Sequence, residues 1–316
     1  LSGLVGSEMC IRDRPCCQWM GPQGAGHFVK MVHNGIEYAD MQAICEAYWL
    51  MHQGLGMSAQ EIAKTFTQWN EGELGSYLLG ISADILARQD PDSGQALVDL
   101  IVDTAEQKGT GKWASQIALD LGAAAPTMNQ AVYARMLSAM KQEREQASGR
   151  LAGARPQSLP GGTESLPLIR GALMATKICA YAQGFALMKR TEPELHWTLP
   201  LADIARLWQA GCIIRARLLQ DIARALDQAP ALNNLLIDPD LAQRMSALQQ
   251  DLRETVAFGA LRGLPLPAFM SALSYYDAYR SSRLPANLLQ AQRDYFGAHG
   301  YQRVDRPGKF HTQWVD

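Results

Sequence analysis

Residues 24–42 read GAGHFVKMVHNGIEYADMQ and combine an apolar background with regularly spaced polar side chains. The polar residues follow offsets of 3, 4, 7 and 8 from the first of them, so they share one face of an α-helix. We call this set the polar stripe; its members are Lys30, His33, Asn34, Glu37 and Tyr38. Because the intervening residues are mostly apolar, the pattern predicts a helix that is buried on several sides.

The polar stripe has two readings. Most polar helix faces simply meet water. A solvated face usually carries Lys, Glu and Gln, whereas this one combines an amine, an imidazole, an amide, a carboxyl group and a phenol. Buried polar groups must be paired with one another or kept for a ligand. The spacing alone therefore leaves both a solvated face and a functional site open.

Composition limits the possible classes of protein. The chain has 316 residues, 47% hydrophobic and 19% charged, with a net charge of −2, which fits one or two globular domains and predicts no nucleic-acid partner. No apolar run reaches the roughly 18 residues of a membrane span. The six cysteines form no C-x-x-C pair, so we expect reduced thiols and a cytoplasmic location. Without an H-E-x-x-H motif or a Cys/His cluster, we expect no metal site.

Almost every long segment has a helical pattern, and no run alternates as a strand would. Ser58 and Glu61 form a capping-box sequence at one helix start. The predicted helices cover 24–53, the segment from Ser58, and 73–89, 94–107, 113–121, 126–147, 167–189, 200–227, 231–258 and 265–281. A Gly/Pro/Ser-rich loop is predicted over 148–165, and 284–316 reads as extended after one short helix. The fold class is therefore all-α.

A faint internal repeat divides the helical region. EIAKTFTQWNEG (61–72) resembles DIARLWQAG (203–211), and a paired leucine follows each. This predicts two halves of similar design, about 24–147 and 166–283. Chance similarity between amphipathic helices is the alternative.

The segment KGTGKW (108–113) is the nearest approach to a phosphate loop. It is not a Walker loop, because Trp113 stands where Ser or Thr is needed and Glu106 replaces the first glycine. It could still hold a phosphate through Lys108, the Thr110 hydroxyl and exposed backbone N–H groups.

Four motifs together resemble the decarboxylating 6-phosphogluconate dehydrogenase family. They are the polar-stripe segment (24–42), QKGTGKW (107–113), AVYARMLSAMK (131–141) and LPANLLQAQRDYFGAHGY (284–301). The resemblance runs from about Pro15 to Asp316. That family combines an N-terminal NADP-binding Rossmann domain, an all-helical domain with an internal duplication, and a C-terminal tail.

The resemblance implies the following domain layout. Residues 1–14 do not resemble the family and are expected to be foreign sequence; 15–23 would be a remnant of the interdomain segment. The helical domain would cover 24–283, and the tail, 284–316, would reach into a partner subunit. No Rossmann fingerprint precedes the helical region, so we expect a truncated product, with a genuine short isoform as the alternative. The coenzyme-binding residues are consequently unknown.

The resemblance also implies a role for each candidate residue. Lys30 would be the general base at the substrate's 3-hydroxyl, and burial would lower its pKa. Glu37 would be the acid that protonates carbon 1 of the product after decarboxylation, with a pKa raised by its surroundings. The implied substrate-binding residues are His33 and Asn34 for the carboxylate and hydroxyls, Tyr38, Lys108, Thr110 and Arg135 for the phosphate, and Arg293 and His299 from a partner's tail.

Two functions follow from these expectations. The first is the oxidative decarboxylation of 6-phosphogluconate to ribulose 5-phosphate and CO₂ with NADP as the cofactor, carried out by a homodimer that exchanges its tails. This chain alone is expected to be inactive, since it carries no fingerprint for the coenzyme. The alternative is a non-catalytic helical dimerisation module.

Overall fold

The computed structural model describes residues 17–154 and 162–315, and these ranges are mainly helical. The expectations for residues 1–14 and for the centre of the 148–165 loop fall outside them. The helices are α1 (Ala25–Trp49), α2 (Ala59–Glu71), α3 (Tyr77–Ala87), α4 (Thr110–Asp120), α5 (Pro126–Ala139), α6 (Lys141–Ser148), α7 (Leu166–Lys189), α8 (Thr191–Leu195), α9 (Leu201–Leu207), α10 (Leu218–Gln228), α11 (Pro239–Arg262), α12 (Pro267–Arg280) and α13 (Ala286–Gly297). This confirms the all-α fold class.

Shorter elements complete the chain. A π-helical turn, Leu50–Gly54, continues α1, and short 3₁₀ turns lie at Leu97–Leu100, Gly162–Ser165 and Leu235–Ile237. The strands β1 (Tyr301–Gln302) and β2 (Lys309–Phe310) pair antiparallel, Tyr301 opposite Phe310. No helix within the described ranges is both long and apolar enough to cross a membrane.

The chain divides into two compact units, one ending at Leu273 and the other beginning at Ser274. In the first unit, α7 is central: residues 171–185 are buried without interruption, and α1 and α11 pack against this helix. Gly184 allows the close approach of α1, because a Cβ there would come within 2.5 Å of Ile36 Cδ1.

Buried polar side chains cap helix starts in this unit. The Gln183 amide accepts a hydrogen bond from the Thr127 N–H at 2.9 Å and donates to the Thr127 hydroxyl at 2.8 Å, at the first turn of α5. The Glu46 carboxyl group accepts from the N–H groups of Ala268 and Phe269 at 2.8 and 3.0 Å. These N–H groups belong to the first turn of α12 and have no partner within the helix. Both long helices, α1 and α7, thus fix the start of a neighbour.

Several predicted helices differ from the observed ones. The prediction of a helix over 94–107 is wrong: within this range only Leu97–Leu100 is helical, as a 3₁₀ turn. Its apolar residues are exposed, Ile101 by 60% and Val102 by 63%, so no packing supports a helix there. The helix over 126–147 breaks at Met140, and the one over 200–227 is interrupted at 208–217. The helix predicted over 231–258 is shifted, since α11 runs from Pro239 to Arg262. The capping box at Ser58 is confirmed.

The segments that follow the two copies of the expected repeat meet at a short bridge. Ser76 and Ala216 form an isolated antiparallel bridge, in which the Tyr77 N–H donates to the Arg215 carbonyl at 3.0 Å and the Arg217 N–H donates to the Gly75 carbonyl at 2.9 Å. Each side of the bridge directly precedes one of the paired leucines of the repeat. This reciprocal contact fits two related halves, and the duplication itself stays a prediction.

Candidate active site

Four members of the polar stripe, Lys30, His33, Asn34 and Glu37, lie close to one another along α1. Lys30 Nζ lies 3.3 Å from His33 Nδ1, and that nitrogen lies 3.1 Å from Asn34 Oδ1. The Glu37 carboxylate is 3.8 Å from the same nitrogen. His33 and Tyr38 are buried, whereas Lys30 is exposed. The burial that we expected around the Lys30 amine is thus not supplied by the described residues, because its position on α1 faces outward.

His33 is held as a neutral imidazole. Burial, with the positive charge of Lys30 second, lowers the pKa of His33 to about 4, although the hydrogen bond with Asn34 opposes this shift. The His33 ring packs edge-to-face on Trp208, with centroids 5.5 Å apart. Its Nε2 atom is buried and has no hydrogen-bond partner among residues 17–154 and 162–315. A neutral imidazole adds no charge to the stripe, and Nδ1, which faces Lys30 and Asn34, is the nitrogen that can share hydrogen bonds there.

The surroundings of Glu37 favour the protonated form of its carboxyl group. Burial raises the pKa of the Glu37 carboxyl group, and the positive charges of Lys30 and Arg135 act against that rise. The raised pKa expected from the sequence is confirmed in direction. A carboxyl group that keeps its proton above the ordinary range can act as a general acid.

The start of α4 is joined to the polar stripe. Gly109, with a φ of 93°, precedes the first helical residue, Thr110. The Asn34 amide donates a 2.9 Å hydrogen bond to the Thr110 hydroxyl. This leaves Asn34 Oδ1 facing His33 Nδ1, a contact that favours a proton on that nitrogen, whereas the Lys30 ammonium group next to the same nitrogen favours the opposite tautomer. Lys108 is exposed just before this helix start, so a cation and free backbone N–H groups lie side by side.

The ring of Tyr38, a residue of α1, contacts both α4 and α5. The Arg135 guanidinium lies 3.5 Å from the centroid of the Tyr38 ring, and it also donates to the Glu106 carbonyl at 3.4 Å. A Cβ on Gly111 would come within 2.4 Å of the same ring, so the absence of a side chain there lets the phenol lie flat between the helices. Thr110 thus contacts Asn34 of the stripe and Arg135 contacts Tyr38 of the stripe, and the phosphate site expected from these residues stays a prediction.

The two tail candidates lie in the unit that begins at Ser274. Arg293 donates to Gln290 Oε1 at 3.2 Å, and His299 packs edge-to-face on Phe296, with centroids 6.0 Å apart. That unit is described by itself, so their expected place in a partner's site stays a prediction.

The sequence did not reveal which residues pack against His33 or pair with the charged residue of α1 beyond the stripe. In the sequence, Trp208 stands out only as part of the repeat segment 203–211, whereas in the structure its ring packs against His33. Asp40, one turn beyond Glu37 on α1, forms a buried ion pair with Lys177 of α7. The available signal for this pair was the single lysine within the apolar run ALMATKICAYA (172–182), because an isolated buried lysine needs a partner.

Residues 26–314 match the family model described as 6-phosphogluconate dehydrogenase, C-terminal domain. This chain belongs to that family.

Similar proteins agree with this assignment. The chain is 52% identical over 306 residues to the NADP(+)-dependent, decarboxylating 6-phosphogluconate dehydrogenase of Bacillus subtilis, covering 96% of this chain and 65% of the relative. It is 50% identical over 302 residues to the decarboxylating enzyme of Shigella flexneri, covering 96% of this chain and 64% of the relative. The chain thus spans slightly less than two thirds of the length of these relatives.

A solved structure has the same fold. The 6-phosphogluconate dehydrogenase of Plasmodium falciparum matches with a TM-score of 0.92 and 40% identity, covering 96% of this chain and 66% of that one. It is described in its apo form, in complex with its cofactor NADP+, and in complex with its substrate 6-phosphogluconate.

Proposed function

We propose that this chain supplies the substrate-binding and acid–base part of a 6-phosphogluconate dehydrogenase (decarboxylating). The observation that carries the proposal is the contact chain from Lys30 through His33 and Asn34 to Thr110, which links a base candidate to the start of α4. Family membership and the names of the relatives support the same reaction.

The base and the acid would act at opposite ends of the reacting carbons. Lys30 and Glu37 are two helical turns apart, roughly 10 Å along the axis, so each can serve a different atom of a six-carbon substrate. Lys30 would take the proton of the 3-hydroxyl, and substrate bound over the stripe would cover the exposed amine. Loss of carbon 1 as CO₂ from the resulting 3-keto acid leaves an enediol between the former carbons 2 and 3. Glu37 would protonate the former carbon 2, which becomes carbon 1 of ribulose 5-phosphate.

His33 and Asn34 would bind the substrate's carboxylate and hydroxyls. Tyr38, Lys108, Thr110 and Arg135 would hold its phosphate, for which an Arg fork, a Lys point charge and a helix start are suited. Arg293 and His299 of a partner's tail would complete the site.

NADP, which is named for the Bacillus subtilis relative, would accept the hydride from carbon 3. Within residues 17–154 and 162–315, strand pairing is limited to β1–β2 and two isolated bridges. A dinucleotide fold needs a strand, a glycine loop and a helix in sequence. The described residues do not fit that requirement, so we assign none of them to the coenzyme.

We also propose a homodimer in which the tail reaches the partner. One face of α13 carries two pairs of apolar residues, and the members of each pair are seven positions apart. The pairs are Leu288 with Tyr295 and Leu289 with Phe296, and each residue is more than half exposed. An apolar helix face of this kind usually marks an interaction surface. Deleting 284–316 and measuring the mass in solution tests whether the tail holds the dimer together; an unchanged dimer would show that it does not.

The alternative, a non-catalytic dimerisation module, has one observation in its favour. A groove of about 210 Å³ between α1 and α3 is lined almost wholly by apolar residues, among them Met41, Tyr48 and Ile85, as an interaction surface would be. A module of this kind would not need the polar stripe to bind a sugar phosphate.

The proposed cytoplasmic location is consistent with the free thiols of Cys17, Cys45, Cys179 and Cys212.

Ligand binding separates the two functions. For this test we define the full-length enzyme as residues 15–316 preceded by the N-terminal part of the Bacillus subtilis relative that this chain does not cover. It should bind 6-phosphogluconate much more tightly than gluconate in calorimetric titrations, and Arg135→Ala should remove most of that difference. Arg88→Ala, at an exposed arginine after α3, is the matched control. Equal affinity for the two sugars would refute the phosphate site and favour the dimerisation module.

A further inference from the structure

The tail unit is organised around one buried carboxylate, Asp294. This side chain is 0% exposed, although it lies on the last full turn of the otherwise exposed helix α13. Each of its oxygens receives two donors. The Gly300 N–H and His311 Nδ1 contact Oδ1, both at 2.8 Å; the Thr312 N–H and Trp314 Nε1 contact Oδ2, at 3.0 and 2.9 Å.

The four donors come from two separate segments. Gly300 ends the turn that follows α13, whereas Thr312 and its neighbours follow β2. One carboxylate therefore ties the helix, the turn and the returning chain together. An ionised carboxylate suits this place, because it is an acceptor only and can accept two hydrogen bonds on each oxygen.

The turn held by Asp294 is unusual in its backbone. Ala298 and Gly300 both have positive φ, 48° and 74°, and His299 lies between them. A non-glycine residue with positive φ costs free energy and persists only where its surroundings enforce it. Here the enforcing contacts are the Ala298 N–H bond to the Asp294 carbonyl at 2.9 Å, the Gly300 bond to its carboxylate, and a 2.6 Å bond from the Gln290 amide to the Gly300 carbonyl.

We propose that Asp294 is a positioning residue for the substrate: its carboxylate fixes the turn that carries His299 and the helix end that carries Arg293. This inference rests on the proposed function, in which those two side chains bind 6-phosphogluconate. Because Asp294 is fully buried, it would act only through the residues beside it.

The electrostatics of the carboxylate agree with this role. Burial alone would favour the protonated form, but the hydrogen bonds from Thr312, His311, Trp314 and Gly300 outweigh it and hold the pKa of Asp294 well below its usual range. An amide in its place would direct an NH₂ group at two N–H donors. Asp294→Asn therefore breaks part of the network while preserving size and shape.

The test is steady-state kinetics of the full-length enzyme. For Asp294→Asn we expect the KM for 6-phosphogluconate to rise by roughly tenfold or more, since small displacements of positioning groups have large effects, while the KM for NADP stays unchanged. Trp314→Phe removes one donor only and should raise the KM for 6-phosphogluconate by roughly two- to tenfold. Asp305→Asn is the matched control, because Asp305 is exposed in the same unit and pairs only with Arg303 among the contacts observed; its KM should not change.

The outcomes separate this proposal from the one it rests on. If Arg293→Ala raises the KM for 6-phosphogluconate but Asp294→Asn does not, the positioning role is refuted and the proposed function stands. An equal rise in both KM values for Asp294→Asn would indicate a general structural defect and also refute it. If Arg293→Ala and His299→Ala both leave the KM unchanged, the tail has no role in substrate binding and both proposals about the tail fail. Should Asp294→Asn not fold, Trp314→Phe decides by the same criteria.

Discussion

Lys177 Nζ lies 2.5 Å from Asp40 Oδ1, and neither side chain is more than 2% exposed. The pair joins α1, which carries the polar stripe, to α7, the central helix of the first unit. A buried charge is tolerated only while its partner remains, because moving an unpaired ion out of water is costly. The helix that presents Lys30 and Glu37 is thus attached to the core by an ion pair close to the proposed acid.

Removing one member of this pair should be strongly destabilising. Lys177→Met leaves Asp40 buried and unpaired, and we expect a loss of about 3–5 kcal/mol in the free energy of unfolding. The double variant Asp40→Leu/Lys177→Met should recover much of that loss, because no charge then remains buried.

Lys141→Met is the control for this experiment. Lys141 Nζ is 2.6 Å from Asp103 Oδ1 on the surface, where an ion pair contributes about 1 kcal/mol or less. Urea unfolding measures all three variants. Similar losses for Lys177→Met and Lys141→Met would contradict the buried-pair account.

His33 should make the protein acid-sensitive. Its pKa is lowered to about 4 in the folded protein from an unfolded value near 6.5. Its contribution to the free energy of unfolding is therefore complete above pH 6.5 and is lost as the pH falls through 4. The loss should reach up to about 3 kcal/mol. Unfolding of wild type and His33→Gln at pH 7 and pH 4 measures it: the variant should lose less stability than the wild type, and parallel losses would argue against a buried neutral imidazole.

Glu46 should make the protein less stable as the pH rises, which is the opposite pH dependence to that of His33. Burial raises its pKa to about 7 despite the hydrogen bonds from the Phe269 and Ala268 N–H groups and Gln42. Its contribution is therefore complete below about pH 4.5 and is lost as the pH rises through 7, by up to about 3 kcal/mol. Between pH 5 and pH 8 the wild type should lose stability relative to Glu46→Gln. If the difference between them does not vary with pH, Glu46 is ionised throughout.

Gly111→Ala should disturb the phosphate site through Tyr38. The added methyl would lie 2.4 Å from the Tyr38 ring, and relieving that overlap costs about 1–3 kcal/mol while displacing the ring beneath Arg135. The KM of the full-length enzyme for 6-phosphogluconate should rise. Gly26→Ala is the matched control, because a Cβ there meets nothing within 4 Å; it should be neutral or slightly stabilising. A normal KM in Gly111→Ala would separate Tyr38 from substrate binding.

The parts of the fold that could be read from the sequence are those set by local spacing. The helix α1, its polar stripe and the cap at Ser58 depend on residues within a few turns of one another, and all three are present. The predicted helix over 94–107 failed because its apolar residues, such as Ile101, remain exposed, and spacing alone does not reveal whether a partner surface exists.

In the candidate site, too, local contacts could be predicted from the sequence, whereas contacts between distant segments could not. Contacts within α1, such as Lys30 with His33, follow from helical periodicity. Trp208 beside His33 and Gly111 beside Tyr38 depend on chain segments far apart in sequence, so only the fold brings them together. Lys177 shows the intermediate case: its isolation in an apolar run signals a buried partner but does not say that the partner is Asp40.

The central claim is that Lys30 is the base of the polar stripe, and turnover of the full-length enzyme tests it most directly. NADPH formation with 6-phosphogluconate should fall by about 10²–10⁴-fold in Lys30→Ala, the usual contribution of a general base, with the exposed Lys64→Ala on α2 as the control. The account predicts that loss in Lys30→Ala and wild-type turnover in Lys64→Ala. An unchanged turnover number in Lys30→Ala would contradict it.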